Sequence, residues 1–354
     1  MNVAILFDQK EKLHSTHWTL QWIDYCENNN IEFSIVNPYQ NGVIKLLLDF
    51  DLVLWHYSNY SFKDMLMAQN VLFTLHDRGV AVFPSFKDSW HFDDKVAETY
   101  LLESVDAPIP KSFYYYSLES LEEDMSKNKH SFPIIAKLRN GSGSHNVKLI
   151  QNKKELLNYG KKMFSSGLDS APSLLYKTSS NVKSAKNLKT FISRAKRIPE
   201  FLNSLANAKK FSVERGYVYL QEFIPNDGYD LKIVVIGDKL SFIGRNIRKG
   251  EFRASGGGSA FYHKSFVTKN VIDSAFKTSE KLGFNCMGYD YVVNAKTGEG
   301  IIVEISFGFS HDALLQANGY FNRDGSWHGE PLNAPKELLK NMISDLEISA
   351  EQSI

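Results

Sequence analysis

Three charged side chains and one glycine-rich turn carry the types and spacing needed for chemistry on a phosphorylated molecule. Lys137 ends the otherwise apolar run Ile134-Ile-Ala-Lys137. An unpaired ammonium is costly to bury, so a lysine at that place calls for an anionic partner. The turn after it contains Gly141, Ser142, Gly143 and Ser144, whose backbone N–H groups can converge on a phosphate. The Gly-Lys-Ser/Thr of a Walker loop is missing, and a glycine hairpin by itself is most often only a turn. Asp290 follows Gly288-Tyr and opens the run Tyr291-Val-Val, while Glu304 ends Ile301-Ile-Val. The turn Asn294-Ala-Lys-Thr-Gly-Glu-Gly300 separates them, which places the two acids on two strands of a hairpin. Two carboxylates among buried positions repel unless a cation lies between them. Mg²⁺ binds in this way, through one or two carboxylates plus substrate phosphates. The bland alternative is one surface acid and one edge acid, each paired with a lysine.

Strands and helices must hold these groups. Val3–Phe7, Ile31–Val36, Leu52–Trp55 and Val80–Phe83 read as short buried strands. Helical patterns lie between them, from about Ser15 to Asn28 and from Phe62 to Asp77. The alternation predicts a parallel α/β sheet covered on both faces. The turn after the first strand holds no glycine, so the dinucleotide fingerprint is absent and NAD is not supported. After Asp93 the pattern changes to helix 94–104, strand 132–138, strand 145–150 and helix 153–164. Strands 217–223, 231–236, 240–245, 288–293 and 300–305 follow, with helix 271–282 among them and a closing helix 335–346. Polar residues recur at strand ends in this region: Asp230-Leu-Lys232, Arg245-Asn-Ile-Arg248 and Arg253-Ala-Ser-Gly-Gly-Gly-Ser259, which includes Gly257. That is the pattern of a cleft lined by basic groups.

Composition excludes several classes. The chain has 354 residues, enough at roughly 150 per domain for two or three domains. Lys+Arg 41 against Asp+Glu 40 leaves a net charge of +1, so no global field draws it to nucleic acid or a membrane surface. Val43–Trp55, the most apolar stretch, is broken by Lys45, Asp49 and Asp51, far short of the roughly 18 residues a bilayer span needs. The N-terminus reads as a first strand and not a signal peptide. Only Cys26 and Cys286 are present, which argues against a disulfide framework and for a reducing cytoplasm. One block departs from the average: residues 177–215 hold ten Lys and Arg against Glu200 and Glu214. It reads either as a solvated helical insertion or as a basic surface facing an anionic substrate.

The order and spacing of these pieces resemble the ATP-grasp superfamily, the fold of glutathione synthetase, D-alanine–D-alanine ligase and the ribosomal-protein glutamate ligases. The matching residues are Asp94-Lys95 through Pro108-Ile-Pro110, Phe132–Lys137 with its glycine loop, and Gln221-Glu-Phe-Ile-Pro225. Further matches are Asp230-Leu-Lys232 through Val235-Ile-Gly237, Arg245, Gly256–Gly258, and Gly288-Tyr-Asp290 with Glu304-Ile-Ser306. The resemblance implies an ATP-grasp domain over 93–330, behind an N-terminal Rossmann-like parallel-sheet domain over 1–92, and a C-terminal helix and tail over 331–354. Within the larger domain it implies a lid subdomain at about 111–224, carrying the basic insertion 177–215, and a metal-binding subdomain at about 225–330.

Residue by residue, the resemblance gives Lys95 and Lys137 to the ATP phosphates, residues 141–144 to a lid over them, and Lys232 to the cofactor-binding set. Gln221, Glu222, Phe223 and Ile224 would line the adenine pocket. Asp290 and Glu304 would hold Mg²⁺ (or Mn²⁺), with Ser306 where the family has asparagine, and Arg245 would stabilise the transferring phosphoryl group. The chemistry implied is carboxylate–amine ligation, in which ATP activates a carboxylate as an acyl phosphate and an amine displaces phosphate. An acidic acceptor, a uronic-acid saccharide or peptide, would suit the basic block. On the substrate side, His56, Arg248, Gly257 and His311 are the candidates. A phosphotransferase on the same fold and a non-catalytic ATP-binding module are the competing readings. Homodimers are common in the superfamily.

Overall fold

Four short apolar runs, Asn2–Leu6 (β1), Glu32–Val36 (β2), Leu52–Leu54 (β3) and Ala81–Phe83 (β4), pair in parallel in the order β2-β1-β3-β4. The fold comes from a computed structural model that describes residues 1–8, 17–59, 61–141, 147–169, 213–247, 252 and 259–352. β3 is buried along its whole length, as a strand covered on both faces must be. Helix α1 (Trp18–Asn28) buries Trp18, Thr19, Trp22 and Cys26 against the sheet. The Trp22 indole donates to the Pro335 carbonyl in the long C-terminal helix (Ala334–Glu351). α2 (Val43–Leu47) and α3 (Phe62–Asp77) complete the cover, and the Ser61 hydroxyl caps α3 by accepting from the Asp64 N–H. Asp88, in α4 (Phe86–Ser89), is buried and accepts from Asn285.

The chain divides into two compact units: residues 1–92, 97–110 and 224–354 form one, and 93–96 with 111–223 form the other. In the first unit, the parallel sheet is joined by a seven-stranded antiparallel sheet. Its spine is Tyr229–Ile236 (β11), Lys239–Asn246 (β12), Cys286–Val293 (β14) and Gly300–Ser306 (β15), in the order β15-β14-β11-β12, edged by Ala260–Phe261 (β13), Tyr320–Asn322 (β16) and Trp327–His328 (β17). Leu231, Ile233, Phe242, Tyr289, Tyr291 and Ile305 point into a core closed by helix α8 (Lys269–Leu282). Gly283 ends α8 in the left-handed region at φ +65°, the conformation a helix C-terminus favours.

The second unit holds a four-stranded antiparallel sheet of Ser112–Tyr115 (β5), Ile134–Lys137 (β6), Val147–Ile150 (β7) and Val218–Glu222 (β10), ordered β5-β10-β6-β7. Helices α6 (Leu118–Ser126) and α7 (Lys153–Met163) pack on it through Leu121, Leu156 and Met163. Leu168–Asp169 (β8) and Val213–Glu214 (β9) form a short ribbon.

The α/β class and the principal strands follow the sequence reading. β5 and α6 were not expected, because Ser112-Phe-Tyr-Tyr115 lacks a continuous apolar run and the acidic α6 presents only a narrow apolar stripe. Asp290 lies inside β14, as the expected strand 288–293 has it, and does not open it as the run Tyr291-Val-Val suggested. No helix among the described residues is long and apolar enough to cross a membrane. Both cysteines are buried and free.

Candidate functional site

Side chains alternate across a strand, so the residues that do not feed the core of the seven-stranded sheet share its other face. They are Asp230 and Lys232 on β11, Arg245 on β12, Asp290 on β14, and Glu304 and Ser306 on β15. The register sets their order: Asp230 opposes Arg245, Lys232 opposes Asp290, and Asp290 opposes Glu304. A bulge between Asp290 and Tyr291 shifts the register of β15 at that point. Gly288 opposes Ser306, and a Cβ there would stand 2.9 Å from the Ser306 carbonyl oxygen. The glycine thus allows β15 to approach beside the two acids.

The charges are tightly paired. Arg245 Nε donates to Asp230 Oδ1 at 2.8 Å, and its Nη2 donates to Asp230 Oδ2. The same Nη2 lies 3.0 Å from Asp290 Oδ2, and Lys232 Nζ lies 2.5 Å from Asp290 Oδ1. Burial pushes the Asp230 carboxyl up to about 6, against the pull of Arg245 and with the push of the Asp290 charge. Burial acts on Asp290 in the same direction, but Arg245 and Lys232 prevail and hold it down at about 2. Arg245, between two carboxylates, is raised despite its burial and is charged throughout. Glu304 is half-buried. The Ser306 hydroxyl accepts from the Gly308 N–H at 3.0 Å. Glu98, in α5 (Lys95–Glu103), is buried and accepts from the Ile305 N–H at 3.2 Å, pinning the end of β15.

A second set lies in the other unit. Lys95 and Lys137 are both buried, at 4% and 8% exposure. Lys137 ends β6, opposite Tyr219 on β10 and Val147 on β7. Lys95 Nζ donates to the Gly141 carbonyl at 2.6 Å, and Gly141 N–H donates to Asp93 Oδ1 at 3.3 Å. Gly141 has φ +122°, a conformation open to glycine, so the start of the glycine turn is tied on both sides. Gln221 is buried and donates to the Ser112 hydroxyl at 3.3 Å. The Glu222 N–H donates to the Lys111 carbonyl at 2.9 Å, and Phe223 is half-buried beyond the strand; Ile224, also half-buried, already belongs to the first unit.

On the first unit, His56 follows β3 with its ring stacked on Trp18 at 4.3 Å. His311 begins helix α9 (His311–Leu315) and is buried. Ser142, Gly143, Ser144, Arg248, Gly257 and the basic block through residue 212 lie outside the described residues. The sequence reading missed Asp230 as the holder of Arg245, although the Asp-x-Lys motif contained it, because its partner is visible only once the β11–β12 register is known. Trp18 was read only as helix core.

The donor set fits a hard divalent ion and a phosphate chain. Asp290 and Glu304 oppose each other on one face, and Asp290 is held ionised. Among the described residues, no group of three or more His, Cys, Asp and Glu could hold a metal alone. Mg²⁺ is commonly bound through one or two carboxylates, with phosphate oxygens or water filling the rest of its shell.

No protein-family model and no curated protein matches this sequence. Solved structures do match. A D-alanine–D-alanine ligase from Bacillus anthracis is similar at TM-score 0.57, with 14% identity over 100% of each chain. The same ligase complexed with ATP gives 0.53, with 14% identity over 90% of each. The macrocyclase MdnC from Microcystis aeruginosa, bound with its precursor peptide MdnA, gives 0.52, with 11% identity over 97% of this chain and 100% of that one.

Proposed function

Because the chain has the ATP-grasp fold shared with carboxylate–amine ligases, we propose that it is an ATP-dependent ligase joining a carboxylate to an amine through an acyl phosphate. The observation that carries this reading is the charged sheet face, where Asp290 and Glu304 stand opposite each other beside Arg245 and Lys232.

Phosphoryl transfer needs little covalent help from a protein and much positioning and charge stabilisation. In this reading Lys95 and Lys137 bind the triphosphate, residues 141–144 close over it, and Lys232 belongs to the cofactor-binding set. Gln221, Glu222, Phe223 and Ile224 line the adenine pocket. Asp290 and Glu304, with Ser306 beside them, hold Mg²⁺ or Mn²⁺, which when bound supplies neutralisation of the phosphoryl oxygens. Arg245 meets the charge that develops on the phosphoryl group in transfer. Its guanidinium is held in place in advance by two carboxylates, so no reorganisation is needed at the moment of reaction. The substrates are a small or oligomeric carboxylate and an amine, and His311, His56, Arg248 and Gly257 are substrate-side candidates.

The test is an ADP-release screen of amino acids crossed with a carboxylate panel, with the products identified. Carboxylate- and amine-dependent release of ADP and free phosphate, with a new amide, supports the ligase. ADP formation without an amine, together with a phosphorylated alcohol, replaces it with a phosphotransferase. No ADP release with any pair overturns catalysis altogether.

A further inference from the structure

β15 is the outermost strand of the seven-stranded sheet, and among the described residues no strand pairs with its outer edge. An open edge presents backbone groups that need partners from elsewhere. Three of its N–H groups find them in side chains and a loop. Gly300 N–H donates to Asn270 Oδ1 at 3.0 Å, Ile302 N–H to the Pro108 carbonyl at 2.7 Å, and Ile305 N–H to Glu98 Oε2 at 3.2 Å.

The spacing along that edge is uneven. N–H groups that face one edge of a strand recur at every second residue. Gly300 and Ile302 obey this, whereas Ile302 and Ile305 are three residues apart. The additional residue is Val303, because Tyr291 opposes Ile302 while its neighbour Asp290 opposes Glu304. Ile302 and Ile305 can therefore both enter the apolar core, at 0% and 1% exposure, with Glu304 on the opposite face. On an unbroken ladder Val303 would oppose Asp290, and Glu304 would turn into the core. The bulge thus aims the second acid of the site, and Glu98 holds the first outward N–H beyond it.

Glu98 is 3% exposed. A carboxylate so placed is costly unless it is hydrogen-bonded, and its bond to a backbone N–H is stronger than a neutral one. We propose that Glu98 is a positioning residue for Glu304, an inference that rests on the ligase reading, in which Asp290 and Glu304 hold the divalent ion. By accepting from the Ile305 N–H, Glu98 locks the bulge and with it the direction of the Glu304 carboxylate. Partners that orient a metal-binding side chain from behind commonly matter to affinity nearly as much as the ligands do.

Two variants separate the acceptor from the charge. Glu98→Gln keeps an acceptor oxygen at similar reach and loses the charge, whereas Glu98→Met keeps the length and loses both. The probe is Mn²⁺ with ADP, its binding to the full chain read by water-proton relaxation, beside calorimetry of ADP in EDTA. Mn²⁺–ADP affinity should fall about tenfold in Glu98→Met and stay within about threefold of the parent in Glu98→Gln. ADP in EDTA should bind all three proteins equally. Amide hydrogen exchange at Ile305 should stay slow in Glu98→Gln and quicken in Glu98→Met. Equal weakening in both variants assigns the effect to the Glu98 charge and overturns the proposal. Unchanged Mn²⁺–ADP binding in Glu98→Met, or a matching loss of ADP in EDTA, overturns it too. If Glu98→Met does not fold, Glu98→Gln decides: weakened Mn²⁺–ADP binding with a protected Ile305 amide overturns the proposal. A parent chain that binds no Mn²⁺–ADP sinks the ligase reading and this role with it, whereas parent binding insensitive to Glu98→Met sinks the role alone.

Discussion

Lys232 and Asp290 stand directly opposite each other on β11 and β14, with the ammonium 2.5 Å from the carboxylate. The Asp290 charge is therefore balanced within the sheet itself. Both side chains are largely out of solvent, at 16% and 7% exposure. Removing one partner of such a pair leaves a poorly compensated charge, partly relieved here by Arg245. Lys232→Met should cost about 2 kcal/mol in urea unfolding, and Lys232→Met with Asp290→Asn should cost clearly less than the sum of the singles. Simple additivity would mean that the two groups do not interact in solution.

Rate predictions follow for two residues of this face and for Lys137, which ends β6 in the other unit. Arg245→Lys, Glu304→Gln and Lys137→Ala should each lower ADP release by roughly 10²–10³-fold. Lysine is the informative change at position 245. Alanine would strand Asp230 and Asp290 without their shared guanidinium, confounding folding with catalysis, whereas lysine keeps the charge and loses the two-pronged grip. Parent-like turnover in all three variants would remove these residues from the mechanism.

The raised Asp230 carboxyl separates activity from stability. As pH falls through about 6 it takes up a proton in the folded chain, while the unfolded group stays ionised down to its ordinary 3.8. Its contribution to stability is thus complete below that ordinary value and is lost as pH rises through about 6. Activity runs the other way, since a protonated Asp230 grips Arg245 less well. The acid limb of kcat should fall near pH 6 and flatten in Asp230→Asn. An unchanged limb in that variant assigns it to another group.

Two histidines, buried His91 and half-buried His56, give the opposite stability trend. His56 and His91 are pushed down by burial to about 3 and about 4, from an ordinary 6.5. Each favours folding above pH 6.5 and progressively less as pH falls, because the unfolded chain binds the proton first. Between pH 6 and 5 each should contribute a loss of about 1 kcal/mol per pH unit. Urea midpoints for His56→Phe should show one proton's worth less acid sensitivity than the parent, and an unaltered slope would place a protonated His56 in the fold.

Much of this protein was legible in its sequence. β1, β3 and β14 could be read because full burial demands apolar composition along the strand itself, and Lys137 and Asp290 were conspicuous as charges inside such runs. The weakly patterned β5 and α6 were not legible, since half-buried elements carry a mixed composition that a loop can share. What tertiary structure alone decided is partnership. Asp230 meets Arg245, Lys232 meets Asp290, and Trp18 stacks on His56, each through the pairing or packing of elements distant along the chain. A one-residue change of register turns every side chain of a strand to the opposite face. Composition says which residues must be buried or charged, but only the assembled sheets decide which of them face one another.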